Sequence, residues 1–124
     1  MGPYLAAPVT DKDSENGESS AIRWGATSMQ GWRKSQEDAH IAAELPGGVH
    51  VFGVFDGHGG AEVSRFVKEV FCDELQKLTS FKDRDYELAL KEIFRKMDTI
   101  MLEPAGAARL KEISNSMGSN ADPL

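Results

Sequence analysis

The residues predict an α+β fold in which antiparallel strands precede helices, on one change of hydropathic period and one turn. Up to Phe55 the apolar positions alternate with polar ones or run together over a few residues, as strands do. From Ala61 onward they recur at steps of three and four, as on one face of a helix. Between the last two strands, Leu45-Pro46-Gly47-Gly48 has the composition of a turn that folds residues 39–55 into a hairpin. With 124 residues the chain has room for one small domain.

The elements follow in order. Residues 10–20 carry no apolar periodicity, so residues 1–21 read as a mobile arm. Met1-Gly2 admits N-myristoylation of Gly2 and reversible membrane contact, although Pro3 and Ala6 depart from the usual pattern. Ile22–Ser28 sets Ile22, Trp24 and Ala26 against Arg23 and Thr27, a half-buried strand that Gly31 ends. A second alternating run sets Ala39, Ile41 and Ala43 against His40 and Glu44. Val49–Phe55, short and rich in Val and Phe, reads as a strand buried on both faces. The hairpin places Asp56, just past the second strand, beside the start of the first, where Glu37 and Asp38 stand.

One helix is expected over residues 61–78, with a stripe of Val63, Phe66, Val67, Val70, Phe71, Leu75 and Leu78. A second runs over residues 86–102, capped by Asp83 or Asp85, with Tyr86, Leu90, Ile93, Phe94, Met97, Ile100 and Met101 as its stripe. Its methionines serve as core filler. Pro104 and Gly106 stop it, Ala107–Ile113 adds a turn or two, and residues 106–124 read as a flexible end. Three strands cover two amphipathic helices poorly, so the chain reads as part of a larger domain.

Composition excludes several classes. A formal charge of −6 argues against a general nucleic-acid binder, which needs a basic face. No apolar run is long enough to cross a membrane as a helix, and no signal-peptide core follows the start. A single cysteine, Cys72, suits a reducing compartment, the cytoplasm or nucleus, and reads as a small buried hydrophobe. One Cys and three His give a structural zinc site little to work with, which leaves hard cations held by oxygen.

Glu37, Asp38 and Asp56 can hold one or two such cations, magnesium or manganese, and a cation held there activates water at neutral pH. The Gly57 carbonyl offers a further oxygen ligand. Arg33 is a two-pronged phosphate donor, and His58 can protonate a leaving oxygen. Together these groups describe metal-assisted hydrolysis of a phosphate ester. Each has a plainer role: Arg33 in a surface salt bridge with Glu37 or Asp38, Asp56 as a helix N-cap, Gly57 and Gly59 in a turn, His58 as an exposed polar residue. His40 and His50 read as structural or solvent-facing, Trp24 and Trp32 as packing. Gly57-His58-Gly59-Gly60 also suits the oxyanion loop of an α/β-hydrolase, but the sequence has no Gly-x-Ser-x-Gly elbow.

Ser28-Met-Gln-Gly-Trp-Arg33, Glu37-Asp38-Ala39-His40 and Val54-Phe-Asp-Gly-His-Gly-Gly60, in that order, closely resemble the N-terminal motifs of the 2C-type, metal-dependent protein serine/threonine phosphatases. The likeness covers roughly residues 1–105. It implies a four-layer α/β/β/α sandwich of two antiparallel sheets flanked by helix pairs, of which this chain is the N-terminal portion. It implies a partial catalytic domain over residues 22–105 and phosphoserine and phosphothreonine proteins as substrates. By the same likeness Asp56 bridges two manganese or magnesium ions in the complete domain, Gly57 lends its carbonyl, and Glu37 and Asp38 lie in the metal site. Arg33 contacts the substrate phosphate and His58 is the general acid. The later Asp-Gly motifs of the family are missing, and the Lys34-Ser35-Gln36 spacer is unusual but carries no chemistry. The chain is therefore expected to be an N-terminal segment, an expressed piece, a short splice form or an incomplete gene model, with little or no activity alone. The alternative is a non-catalytic short isoform that binds partners or competes with the full-length enzyme.

Overall fold

The computed structural model describes residues 4–119. Its strands are β1 (Val9–Glu18), β2 (Arg23–Gly31), β3 (Ala39–Leu45) and β4 (Val49–Phe55), and its helices are α1 (Glu62–Lys77), α2 (Thr79–Lys82), α3 (Tyr86–Leu102) and α4 (Pro104–Ser119). The strands form two antiparallel pairs, β1–β2 and β3–β4. The class is α+β, consistent with the N-terminal part of the expected sandwich.

The β3–β4 hairpin is in the anticipated place, with pairs running from Ala39 with Phe55 to Leu45 with Val49. Gly47 (φ 87°) and Gly48 (φ 77°) turn the connection through left-handed backbone that other residues adopt only at a cost. Ile41 and Leu45, with the half-buried Val49, Val51 and Phe55, pack against Phe71 and Leu75 of α1 and Ile93 and Met97 of α3. The other face of β4 is not buried: Phe52 is 52% and Val54 75% exposed. That face looks across a hollow of about 610 Å³ toward β2, bridged by the edge of Trp24 on Phe52 at 6.0 Å. A uniformly apolar run thus alternates after all, because only one side has helices on it.

Helix α3 has its predicted bounds, and Asp85 caps it by accepting a hydrogen bond from the Leu88 N–H at 3.2 Å. Its contact line is Ala89, Ile93 and Met97, at i, i+4 and i+8, all nearly inaccessible. Leu90 and Phe94 lie one position round from that line and are about half exposed, as is Val63 of α1.

Two segments differ from expectation. Val9–Glu18 is a strand rather than a mobile arm. It gains partners only in three dimensions: Ser14 and Thr27 share a hydroxyl hydrogen bond of 2.8 Å, and Glu15 meets His40 of β3 at 2.8 Å. Gly17 lies under the Trp24 indole, where a Cβ would come within 2.6 Å of the ring. The second difference is α4. Pro104 does end α3, but it also opens α4, because a first-turn residue needs no N–H donor. Gly106 lets α4 cross close to the Ile100 carbonyl, which a Cβ would strike. Ile113 is buried, and the Arg109 guanidinium forks onto the Glu69 carboxylate of α1 while also reaching Glu112 at 3.0 Å. Gly2 falls outside the described residues.

Two outcomes follow from this packing. Ile93→Ala removes a side chain with no exposure, and urea unfolding should show a loss of about 2–5 kcal/mol. Leu102→Ser, at a position 86% exposed, should change stability by less than about 0.5 kcal/mol. Hydrogen bonds from Arg109 hold the Glu69 carboxyl below its ordinary value, against a small opposing effect of burial. A carboxyl so lowered stabilises the fold above its unfolded pKa, about 4.3, and that contribution fades as pH falls through the folded value. The drop in urea midpoint between pH 6 and pH 3 should therefore be smaller in Arg109→Met than in the parent, with Glu74, lowered by Lys77 and Lys96, supplying part of the remainder.

Candidate metal and phosphate site

At the open end of the β3–β4 hairpin, pairing of Ala39 with Phe55 sets Asp38 beside Asp56. The Gly57 N–H donates to Asp38 Oδ1 at 3.2 Å, joining the two strand ends. A hollow of about 310 Å³ opens there, and its walls include Arg33, Glu37, Asp38, Asp56, Gly57 and His58. All six residues singled out in the sequence thus share one depression.

The plainer roles can be tested one by one. The N-cap of α1 is Ala61, with no side-chain cap, so Asp56 does not cap the helix. Among the described residues Arg33 makes no ion pair, and its guanidinium is free for an anion. Gly59 (φ 71°) and Gly60 (φ 127°) carry the chain from the strand end into α1 through backbone that suits glycine. His40 is tied to Glu15. His50 is 11% exposed in its side chain, with Nε2 buried, unpartnered and 4.0 Å from Glu44. Among the described residues both strand pairs are antiparallel, unlike the mostly parallel sheet of an α/β-hydrolase.

Residues not anticipated hold the loop in place. The Gln30 side-chain amide donates to the Arg33 carbonyl at 2.8 Å, and the Gln36 amide to the Met29 carbonyl at 3.2 Å. Gln36 Oε1 accepts from the Asp38 N–H at 3.1 Å, and Ser35 donates to Glu37 Oε1 at 3.3 Å. The spacer Ser35-Gln36, set aside in the sequence, thus braces the two acidic residues. Ser64, buried in the first turn of α1, donates to the Glu37 backbone carbonyl at 2.5 Å. The signal for these was present only as amide and hydroxyl side chains near the motifs, which sequence alone does not pair.

Whether the residues suit a cation is a matter of donor chemistry. Glu37 and Asp38 each spend one carboxylate oxygen on a neighbour and keep another for a ligand. With Asp56 and the Gly57 carbonyl they make an all-oxygen set of the kind that magnesium or manganese takes. Among the described residues, however, no three acidic, His or Cys side chains converge closely enough to hold an ion. The set fits in type and is open in extent.

Against known families, residues 22–121 match the model of protein phosphatase 2C. The chain belongs to the protein phosphatase 2C family. A probable protein phosphatase 2C 3 of Paramecium tetraurelia is 47% identical over 98% of this chain and 40% of its own length. Protein phosphatase 2C 1 of the same organism is 49% identical over 90% of this chain and 38% of its own. A probable protein phosphatase 2C 21 of Arabidopsis thaliana is 39% identical, over 94% and 33%. This 2C phosphatase chain thus spans about two fifths or less of the length of these curated relatives.

Gly57 is a tight point of this candidate site. A Cβ there would strike the Glu37 carbonyl and lie 3.0 Å from Ser64 Oγ. Gly57→Ala should cost about 1–3 kcal/mol in urea unfolding and move the amide resonances of Glu37 and Asp38 more than those of Val51. A variant with parent stability and unmoved Glu37 and Asp38 resonances would contradict this packing.

Proposed function

We propose that the chain carries the phosphate-binding and part of the metal-binding half of a manganese- or magnesium-dependent protein serine/threonine phosphatase. The observation that carries this reading is the gathering of Arg33, Glu37, Asp38, Asp56, Gly57 and His58 around one hollow in a member of the 2C family. Asp56, the Gly57 carbonyl, Glu37 and Asp38 would hold the cations, two in the complete domain. A divalent cation bound there supplies an activated water as nucleophile.

The remaining chemistry falls to the chain's own side chains. The Arg33 guanidinium, without an ion pair among the described residues, binds two oxygens of the phosphoserine or phosphothreonine group and orients the ester. His58, exposed at the rim, donates a proton to the departing seryl or threonyl oxygen. The glycines around His58 let a protein substrate approach the backbone closely. The half-buried Cys72, whose thiol is pushed up by burial and then by Asp73, suits a reducing compartment, and we assign the protein to the cytoplasm or nucleus.

The open ligand set implies that the 124-residue chain turns over slowly or not at all. Titration with Mn²⁺, followed by its spin resonance, should give weak binding that Asp56→Asn reduces about tenfold or more, since even a group that only orients a ligand is worth that much. Equal affinity in parent and variant would remove Asp56 from the metal site. A phosphopeptide assay with manganese should show no turnover above background, and robust turnover would refute the incomplete cradle. The same open set favours a second reading, a non-catalytic module that competes with a full-length enzyme through the exposed Leu90, Phe94 and Leu102. Inhibition of a complete family member by the folded chain, lost on Phe94→Ser, would select it.

A further inference from the structure

We infer that Ser64 is a positioning residue of this site: its buried hydroxyl fixes the Glu37-Asp38 corner against the Asp56-Gly57 strand end. The inference rests on the metal reading above for its consequence, but not for its geometry. Ser64 is 3% exposed and lies in the first turn of α1, and its Oγ donates to the Glu37 carbonyl at 2.5 Å across 27 positions of sequence. A local alternative exists, since the Ala61 carbonyl lies 3.1 Å away. That carbonyl already accepts the Arg65 N–H at 3.0 Å, and one hydroxyl has one proton to give. The shorter contact to Glu37 takes it.

Three groups meet at this point. Ser64 holds the Glu37 backbone, Gly57 leaves out the Cβ that would push that backbone away, and the Gly57 N–H in turn holds the Asp38 carboxylate at 3.2 Å. Helix, loop and strand end are thereby linked through the two backbone positions whose side chains face the hollow. Ser64 itself does not line that hollow. Its effect on any ligand is transmitted through Glu37 and Asp38, because losing the donor leaves a carbonyl unsatisfied in a packed contact.

Native-state amide exchange measured by NMR tests the linkage without any metal. Ser64→Ala should speed exchange of the Gly57 N–H about tenfold, the scale of one lost buried hydrogen bond, and leave Val51 and Phe71 unchanged. Ser80→Ala is the control, since Ser80 is also buried but its hydroxyl has no partner, and it should change neither. Unchanged Gly57 exchange, or equal acceleration at Gly57, Val51 and Phe71, would overturn the inference by showing no effect or a global one. Mn²⁺ affinity of the same proteins reads the consequence: a loss of about tenfold in Ser64→Ala is expected, and parent-like affinity would overturn it. If the parent binds no Mn²⁺, the metal reading fails and the exchange comparison alone decides Ser64. If Ser64→Ala does not fold, Ser64→Cys, somewhat larger and with a weaker donor, is judged by the same two measurements.

Discussion

The pairing of Ala39 with Phe55 is the contact on which the rest of the site depends. In an antiparallel ladder the residue before one strand and the residue after its partner are neighbours, so this one pair sets Asp38 beside Asp56. A slip of one residue would turn every side chain of the strand to the other face. The register cannot slip, because Ile41 and Leu45 must face Phe71, Leu75, Ile93 and Met97 for the core to close. The apolar packing that stabilises the hairpin is therefore also what places the carboxylates. The stability of the core and the geometry of the candidate site share one constraint.

A two-stranded hairpin is marginal by itself, and the two sheets here find different support. β3–β4 rests on helices through its inner face. Among the described residues β1–β2 has no helix packed closely on it and relies on polar cross-strand pairs, the Trp24 ring over Gly17 and against Phe52, and the Glu15–His40 bridge to the neighbouring sheet. Such exposed polar contacts contribute little singly, so this sheet depends on the rest of the molecule more than the reverse. Between the sheets the apolar Phe52 and Val54 remain substantially exposed, beside a hollow large enough for several side chains.

The ligand set mirrors this imbalance. Each carboxylate has a local brace, Ser35 for Glu37 and Gly57 for Asp38, while Arg33 carries no counter-charge among the described residues. Carboxylate oxygens are braced and a guanidinium is left without an ion pair among the described residues, an arrangement compatible with binding an anion together with a hard cation. Helix α4 bears on α1 through Arg109 and Glu69, and Glu69 lies on the helix that carries Ser64.

By itself the sequence determined whatever depended on local pattern. Alternation at Arg23–Ser28, the Pro46-Gly47-Gly48 turn, the helical stripe from Phe66 to Leu75 and the Asp85 cap were all legible, since each arises from neighbours a few residues apart. So was the nearness of Arg33, Glu37, Asp38, Asp56, Gly57 and His58, through the hairpin that brings its strand ends together. Only the tertiary structure decided what depended on distant partners. β1 is polar and aperiodic, and becomes a strand because β2 and His40 supply its partners. α4 forms where a proline and a glycine look like a stop, because α1 and α3 offer a surface and Glu69 an anchor. Val54 is exposed although its strand is apolar, because burial depends on what lies opposite. Ser64, an ordinary helix residue in sequence, reaches the site because folding brings Glu37 within hydrogen-bonding distance of it.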